Sequence, residues 1–259
     1  MSWILLTNDD GLDSPALLPF ISALERLGEV RTVVPEGQRS WIGKALTRFD
    51  PIEVAAVERS GHTIVTVSGT PADAVQVAAS YFETPPGLVV AGINLGYNHG
   101  AGYIISSGTV GACFEGWELG IPAVGFSTGI RGTWITWYRH MHTDEAVPVW
   151  ERLAELCTEI LGDIREVDMP GDVVSVNLPW EADASTPRRV VPPARVTYGQ
   201  IQKPRSDGNF AFSYREQFGS VPLDGTDVGV NRAGGIAITP LCVPTSPQVS
   251  DVVRNRLER

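Results

Sequence analysis

Six short, almost uninterrupted apolar runs constrain the fold of this chain more than any other feature. They lie at residues 3–7 (WILLT), 30–34 (VRTVV), 63–67 (TIVTV), 88–92 (LVVAG), 123–126 (AVGF) and 173–178 (VVSVNL). A strand that is apolar at nearly every position is buried on both faces, and helices must cover it from both sides. Helical patterning falls between the runs. Leu17, Leu18, Ile21, Leu24 and Leu27 recur at helical spacing and stop at Gly28. Thr70-Pro71-Ala72-Asp73 is a helix start, with Thr as N-cap, Pro at the first position and Asp at the third. Residues 109–119 and 144–161 carry two more helices. Alternation of this kind predicts an α/β fold with a doubly wound, mostly parallel sheet and right-handed crossovers.

The pattern breaks after Pro170. From about 180 to 235 the chain is polar and rich in Pro and Gly, with Tyr198, Phe210, Phe212, Tyr214 and Phe218 set among turn residues. This stretch reads as a β-hairpin extension that finds its packing partner on another subunit. Residues 236–239 (IAIT) read as a returning strand and 247–259 as a short helix.

Composition removes several function classes. With 43% apolar and 19% charged residues the chain has a real core and is not disordered. A net charge of −10 supplies no basic footprint for nucleic acid and repels an anionic membrane surface. An anionic substrate would therefore need a bound cation or a helix N-terminus to reverse the local field. Cys113, Cys157 and Cys242 have no zinc-ligand or redox spacing and read as buried free thiols. The apolar run after Met1 is too short for a signal peptide, and no stretch is long enough to span a bilayer, so the expected compartment is the cytoplasm.

In open parallel sheets ligands bind beyond the carboxyl ends of the strands. There the sequence places Asn8-Asp9-Asp10-Gly11, Pro35-Glu36-Gly37-Gln38-Arg39-Ser40, Ser68-Gly69-Thr70-Pro71 and Gly92-Ile93-Asn94-Leu95-Gly96-Tyr97-Asn98-His99-Gly100. A further helix opens at Ser106-Ser107-Gly108-Thr109. Alone, Asp-Asp-Gly is equally a turn with a helix cap. Beside the other loops, two adjacent carboxylates call for a cation. Ser40 and Asn94 add neutral oxygens, and an all-oxygen set selects Mg²⁺, Mn²⁺ or Ca²⁺ over zinc. Ser107-Gly108-Thr109 reads both as an N-cap and as an anion-binding turn. Of the histidines only His99 falls in a site loop, where a surface role is the simpler reading.

These segments carry a family likeness. ILLTNDDG at 4–11, VVPEGQRS at 33–40, SGTPAD at 68–73, AGINLGYNHG at 91–100, SSGTVGA at 106–112 and GIPAV at 120–124 resemble the SurE family of survival proteins, metal-dependent 5′/3′-nucleotidases. Weaker matches follow at SVNLP (175–179), GTDV (225–228) and AITPL (237–241). The resemblance implies one divalent ion per subunit held by Asp9, Asp10, Ser40 and Asn94. It implies phosphate and substrate contacts from Asn8, Asn94, Asn98, Ser107, Gly108 and Thr109, with Asp9, Asn98 and Ser107 in catalytic roles. It also implies a Rossmann-like catalytic domain over 1–179 and a hairpin oligomerisation extension over 180–235. Residues 236–259 would return to the core or exchange with a partner, giving a homodimer or homotetramer. The substrate implied is a nucleoside monophosphate. Two departures stand in the site loops: Trp41 where the family usually has a small residue, and His99 in place of an aliphatic.

Rival readings separate on chemistry. A nicotinamide dehydrogenase needs Gly-x-Gly-x-x-Gly after the first strand, where this chain has carboxylates. A receiver-type domain needs a third aspartate after its third strand. A metal-dependent nucleotide-binding regulator without turnover shares the same ligands and is the alternative to a hydrolase.

Overall fold

The computed structural model of the chain describes residues 2–129, 134–167, 171–214, 221–244, 250, 251, 254 and 256. The first half contains β1 (Ile4–Thr7), α1 (Leu17–Leu24), β2 (Val30–Pro35), β3 (Val54–Arg59), β4 (His62–Val67), α2 (Pro71–Tyr81), β5 (Leu88–Leu95), α3 (Ala101–Ser106), α4 (Gly108–Glu118) and β6 (Ala123–Gly129). The second contains α5 (Trp134–His140), α6 (Val147–Arg165), β7 (Val173–Pro179), β8 (Arg188–Val190), β9 (Gln202–Pro204), β10 (Phe210–Phe212), α7 (Asp227–Arg232) and β11 (Ile236–Leu241).

Among the described residues the main sheet runs in the order β3-β4-β2-β1-β5-β6-β7-β11-β8. From β4 to β7 every pairing is parallel. β3 and β11 run antiparallel to β4 and β7. The fold is thus α/β with a mostly parallel sheet, as the apolar runs require. All eight residues of β5 are buried, as its apolar run 88–93 demands, with Asn94 buried near its carboxyl end. One face is covered by α1 and α6, whose Phe20, Leu24, Trp150 and Leu153 pack on Val90 and Phe126. The other is covered by α2 and α4, where Val75, Ala78, Ala112 and Cys113 meet Leu5, Val33 and Val89.

Strand order reverses between β1 and β5: β2 and β4 lie to one side, β6 and β7 to the other. Loops leaving β1 and β5 therefore turn to opposite faces and leave a crevice between them, where such sheets bind ligands.

Several elements differ from the sequence reading. β3 is an edge strand with mostly exposed side chains, so it lacks the apolar signature used to find the others. It joins β4 through Ser60 and Gly61, both in the left-handed region (φ 50 and 84). α3 occupies a stretch, Ala101–Ser106, to which the sequence reading assigned no element. Within 180–235, β8 pairs with β11 at the edge of the main sheet, while β9 and β10 form a separate antiparallel hairpin. α2 starts as expected, with a capping box in which Asp73 N–H donates to Thr70 Oγ1 (3.1 Å) and Thr70 N–H to Asp73 Oδ2 (2.8 Å). Cys113 and Cys157 are buried as expected, but Cys242 is exposed. Phe218 lies outside the described residues, as does most of the helix expected over 247–259.

Candidate active site

The site loops are hydrogen-bonded to one another before any ligand is considered. Asn8 closes the Asn-Asp-Asp-Gly turn: its Oδ1 accepts from Gly11 N–H at 2.9 Å and its Nδ2 donates to Gly11 O at 3.2 Å. Gly11 sits at φ 83, and a Cβ there would lie 2.7 Å from the Gly37 carbonyl carbon. Only glycine lets the β1 and β2 loops approach so closely. Arg39 N–H donates to Asp9 O (2.7 Å), while its guanidinium donates to Ser68 O (2.8 Å) and Gly69 O (3.1 Å). Arg39 thus ties three strand-end loops together and leaves Ser40, exposed, at their junction.

Asp9 and Asp10 stand at the centre of the crevice. Asp9 Oδ1 accepts from Thr109 Oγ1 at 2.6 Å. Its carboxylate faces the N-terminus of α4, where a Cβ on Gly108 would lie 2.9 Å from Asp9 Oδ2. Burial pushes the Asp9 carboxyl up, against the Thr109 hydroxyl and the N–H groups of Thr109 and Gly108, which pull it down. Asp10 Oδ2 accepts from Leu95 N–H at 3.0 Å, bridging β1 and β5 across the switch point. Burial, and then the charge of Asp9, push Asp10 up to about 7, with Leu95 N–H and Gln38 opposing. Among the described residues neither carboxylate forms an ion pair. Asn94, 8% exposed, donates Nδ2 to Gly96 O at 2.7 Å; its Oδ1 makes no hydrogen bond among the described residues.

These donors fit a hard cation. Buried Asp9 and partly buried Asp10, both raised by desolvation and Asp10 also by the charge of Asp9, lack the positive charge that would keep both ionised. The oxygens of Asn94 and Ser40 are neutral and not committed to hydrogen bonds among the described residues. No three His, Cys, Asp or Glu side chains converge among those residues, which leaves an all-oxygen set of two carboxylates plus neutral donors.

Ser107 caps α4: its Oγ accepts from Val110 N–H at 3.1 Å. The N–H groups of Gly108 and Thr109, expected to receive a phosphate, here face the Asp9 carboxylate. The same helix end is an anion-stabilising position on either reading.

Asn98 lies at the other end of the crevice. Its Nδ2 donates to Ser127 Oγ (2.9 Å) and its backbone N–H to Asn177 Oδ1 (2.8 Å), while Asn177 Nδ2 returns to Asn98 O (3.3 Å). Asn231 Nδ2 donates to Asn177 O (2.9 Å) and Gly235 O (3.1 Å). With both Asn231 amide hydrogens engaged, Asn231 Oδ1 accepts from His99 Nδ1 at 2.7 Å, which places the imidazole proton on Nδ1. Asp227 accepts from Gly100, Ala194 and Val228 N–H at 2.7, 2.8 and 2.7 Å. His99 is therefore not a surface residue. It is 4% exposed, stacked on Tyr97 (4.5 Å, 15°), and burial lowers its pKa to about 4. Beside it a cavity of about 510 Å³ is lined by Tyr97, Pro179, Glu181, Ala182, Thr186 and Asn231.

Sequence reasoning assigned no role to Gln38, Ser127, Asn177, Asp227 or Asn231. The signal was present for three of them: Gln38, Asn177 and Asp227 fall inside VVPEGQRS, SVNLP and GTDV. Asn231 and Ser127 reach the site through helix and strand periodicity and bear no local mark.

A doubly wound α/β protein with an acidic, oxygen-lined crevice at its switch point is the class these observations define. Comparison narrows it. The family model described as survival protein SurE matches residues 4–201. The 5′-nucleotidase SurE of Methanopyrus kandleri is 37% identical over 246 residues, covering 92% of this chain and 90% of that protein. That of Hyperthermus butylicus is 33% identical over 248 residues, with 92% and 84% covered. The crystal structure of the SurE protein from Aquifex aeolicus superposes with a TM-score of 0.73 at 27% identity, covering 99% of this chain and 98% of that one. The chain belongs to the SurE family.

Proposed function

We propose that this chain is a divalent-metal-dependent phosphomonoesterase that hydrolyses nucleoside 5′-monophosphates, and 3′-monophosphates as well, to nucleoside and phosphate. One observation carries the reading: two adjacent carboxylates, Asp9 buried and Asp10 partly buried, with no cationic partner among the described residues, at the switch point of a parallel sheet. The relatives named 5′-nucleotidase, matched over most of their length, support the ester chosen.

Asp9, Asp10, Ser40 and Asn94 would hold one Mg²⁺ or Mn²⁺ ion per subunit, with Ca²⁺ chemically admissible. When bound, the ion neutralises the pair and polarises a phosphate oxygen. Asp9 orients the attacking water. Asn98 Nδ2, Ser107 and the N–H groups of Gly108 and Thr109 donate to the phosphoryl oxygens as charge builds on them. The water oxygen forms the new bond to phosphorus as the bond from phosphorus to the ester oxygen breaks, and one of the two protons of that water ends on the leaving oxygen, giving the nucleoside hydroxyl and phosphate. Asn8 shapes the turn that aims both aspartates, because its amide is engaged by Gly11. The cavity beside Tyr97 offers room for the nucleoside.

On this reading residues 1–179 are the catalytic domain and 180–235 the oligomerisation extension of a cytoplasmic homodimer or homotetramer. Exposed Phe210 and Phe212 on β10 support assembly through the hairpin. Among the described residues no helix is long and apolar enough to cross a membrane. Light scattering that finds a monomer would remove the assembly part of the reading.

Phosphate release from 5′-AMP, 5′-GMP, 3′-AMP and an aryl phosphate tests the activity, each with Mn²⁺, with Mg²⁺ and with chelator. Metal-dependent release from nucleotides is expected. No release with any metal overturns the hydrolase, and nucleotide binding without release makes the chain a regulator.

A further inference from the structure

Trp41 occupies a costly backbone conformation next to Ser40. Its φ is 63, in the left-handed region, where a bulky side chain is an outlier that surrounding structure must hold in place. The loop is fastened on either side of it. Arg39 N–H bonds Asp9 O (2.7 Å) and Gly43 N–H bonds Ser106 O (3.0 Å). Lys44 Nζ lies 2.6 Å from buried Glu115, and Thr47 donates its N–H and hydroxyl to Asp73 (3.0 and 2.7 Å). Between these anchors Ser40, Trp41 and Ile42 make no hydrogen bond among the described residues. Packing alone holds the segment.

Most of the packing comes from beyond residue 179, with Tyr103 of α3 the exception. The Trp41 ring meets Tyr198 edge-on at 4.9 Å, Tyr214 at 5.5 Å, Phe212 at 5.6 Å and Tyr103 at 6.1 Å. Phe212 belongs to β10, and Tyr214 follows it and donates its hydroxyl to Tyr103 Oη at 2.9 Å. Tyr198 receives a hydrogen bond from Ser106 Oγ at 2.9 Å. This cluster is a third, small core, distinct from the two that cover the sheet. It attaches the β9–β10 hairpin, whose strands are otherwise largely exposed, to the loop that carries Ser40.

We infer that Trp41 is a positioning residue. The aromatic face of the hairpin clamps its ring, the clamp fixes the left-handed backbone at residue 41, and that backbone sets Ser40 toward Asp9 and Asp10. The site is then completed by an element outside the catalytic domain. The inference rests on the proposed role of Ser40 as a cation ligand for its consequence, but not for its structural content.

Glycine adopts this φ without strain, so Trp41→Gly removes the clamp and leaves the turn allowed. Two measurements are read on the full chain, as wild type, Trp41→Gly, Trp41→Phe, Phe212→Ala/Tyr214→Ala and Asp9→Asn. Amide exchange at Arg39 and Gly43, whose N–H groups are bonded to Asp9 O and Ser106 O on either side of Trp41, is expected to quicken in Trp41→Gly and in the hairpin double variant, with β1 and β5 amides unchanged. Calorimetric titration with Mn²⁺ is expected to show affinity about tenfold or more weaker in both, in the range typical of lost ligand-supporting contacts. Trp41→Phe keeps most of both properties, which excludes a general folding defect. Wild-type exchange at Arg39 and Gly43 in Trp41→Gly overturns the inference whatever the metal does. Quickened exchange with unchanged Mn²⁺ affinity overturns its link to Ser40. Asp9→Asn that binds Mn²⁺ like wild type overturns the metal site instead, and the exchange result still decides the clamp.

Discussion

At the β1–β5 end of the crevice Asp9 and Asp10 stand side by side, short of positive charge among the described residues. At the β6–β7 end Asn98, Ser127, Asn177, Asn231 and His99 are buried, as Asp9 is and Asp10 is in part, yet each is engaged by a neutral hydrogen-bond partner. Hydrogen-bond satisfaction, more than burial, separates the two ends. A buried polar network with its partners in place rigidifies the backbone that carries it. A buried carboxylate pair without a cation is strained until one arrives. On the proposed function the first end would take a cation from solution, and the second would hold Asn98 still while that happens.

The contrast can be broken most forcefully at its charged end. Asp9→Asn is expected to abolish calorimetric Mn²⁺ binding and to cut phosphate release at least about a hundred-fold, more than loss of a merely supporting contact. The same variant should raise the Tm of the metal-free protein, because it removes the repulsion. Asn98→Ala comes next. A donor aimed at developing charge is worth on the order of 10²-fold in kcat, and KM and stability should move much less. Asn177→Ala probes the neutral end. It strips the partner from Asn98 N–H, so a loss of about 1–3 kcal/mol is expected in denaturant unfolding, with a smaller fall in kcat than for Asn98→Ala. If Asn177→Ala left stability untouched, the rigid end would not be rigid. His99→Leu is the mildest. His99 titrates near 4 when folded against an ordinary 6.5, so its contribution is full above about 6.5 and drains as pH falls toward 4. The variant should lose that acid-side decline in Tm measured from pH 7 to 4.

The charged end was far more legible in the sequence than the neutral one. Asp9, Asp10, Asn94 and the start of α4 follow directly from apolar runs that end in polar clusters, since a parallel sheet delivers every strand end to one edge. The central parallel strands were readable for the same reason: full burial writes itself as an unbroken apolar run. β3 was not, because an edge strand with solvent on its side chains needs no such run. The Ser60-Gly61 turn was its only mark. His99 misled because isolated polarity reads as surface, while its burial depends on Asn231, 132 residues away. Trp41 could be noted beside Ser40, but its contacts come from α3, the Tyr198 segment and the hairpin, which no local pattern joins.

Thermal unfolding of the chain with and without saturating Mn²⁺, at pH 5.5 and pH 8, tests the central claim most directly. Asp10 is raised from 3.8 to about 7 in the folded state, so its stabilising protonation is complete below about 3.8 and lost as pH rises through 7. The His99 window overlaps and opposes it, so the informative quantity is the Mn²⁺-induced change at each pH, compared between wild type and Asp10→Asn. A ligand at about a hundred times its Kd adds roughly 2.7 kcal/mol, or roughly 5–10 °C for a chain of this size. The expected result is a rise of that order at pH 8, a much smaller one at pH 5.5 where protons compete, and none in Asp10→Asn. An Mn²⁺-induced rise that is the same in wild type and Asp10→Asn, or absent from wild type at pH 8, would contradict the assignment of a cation to this carboxylate pair.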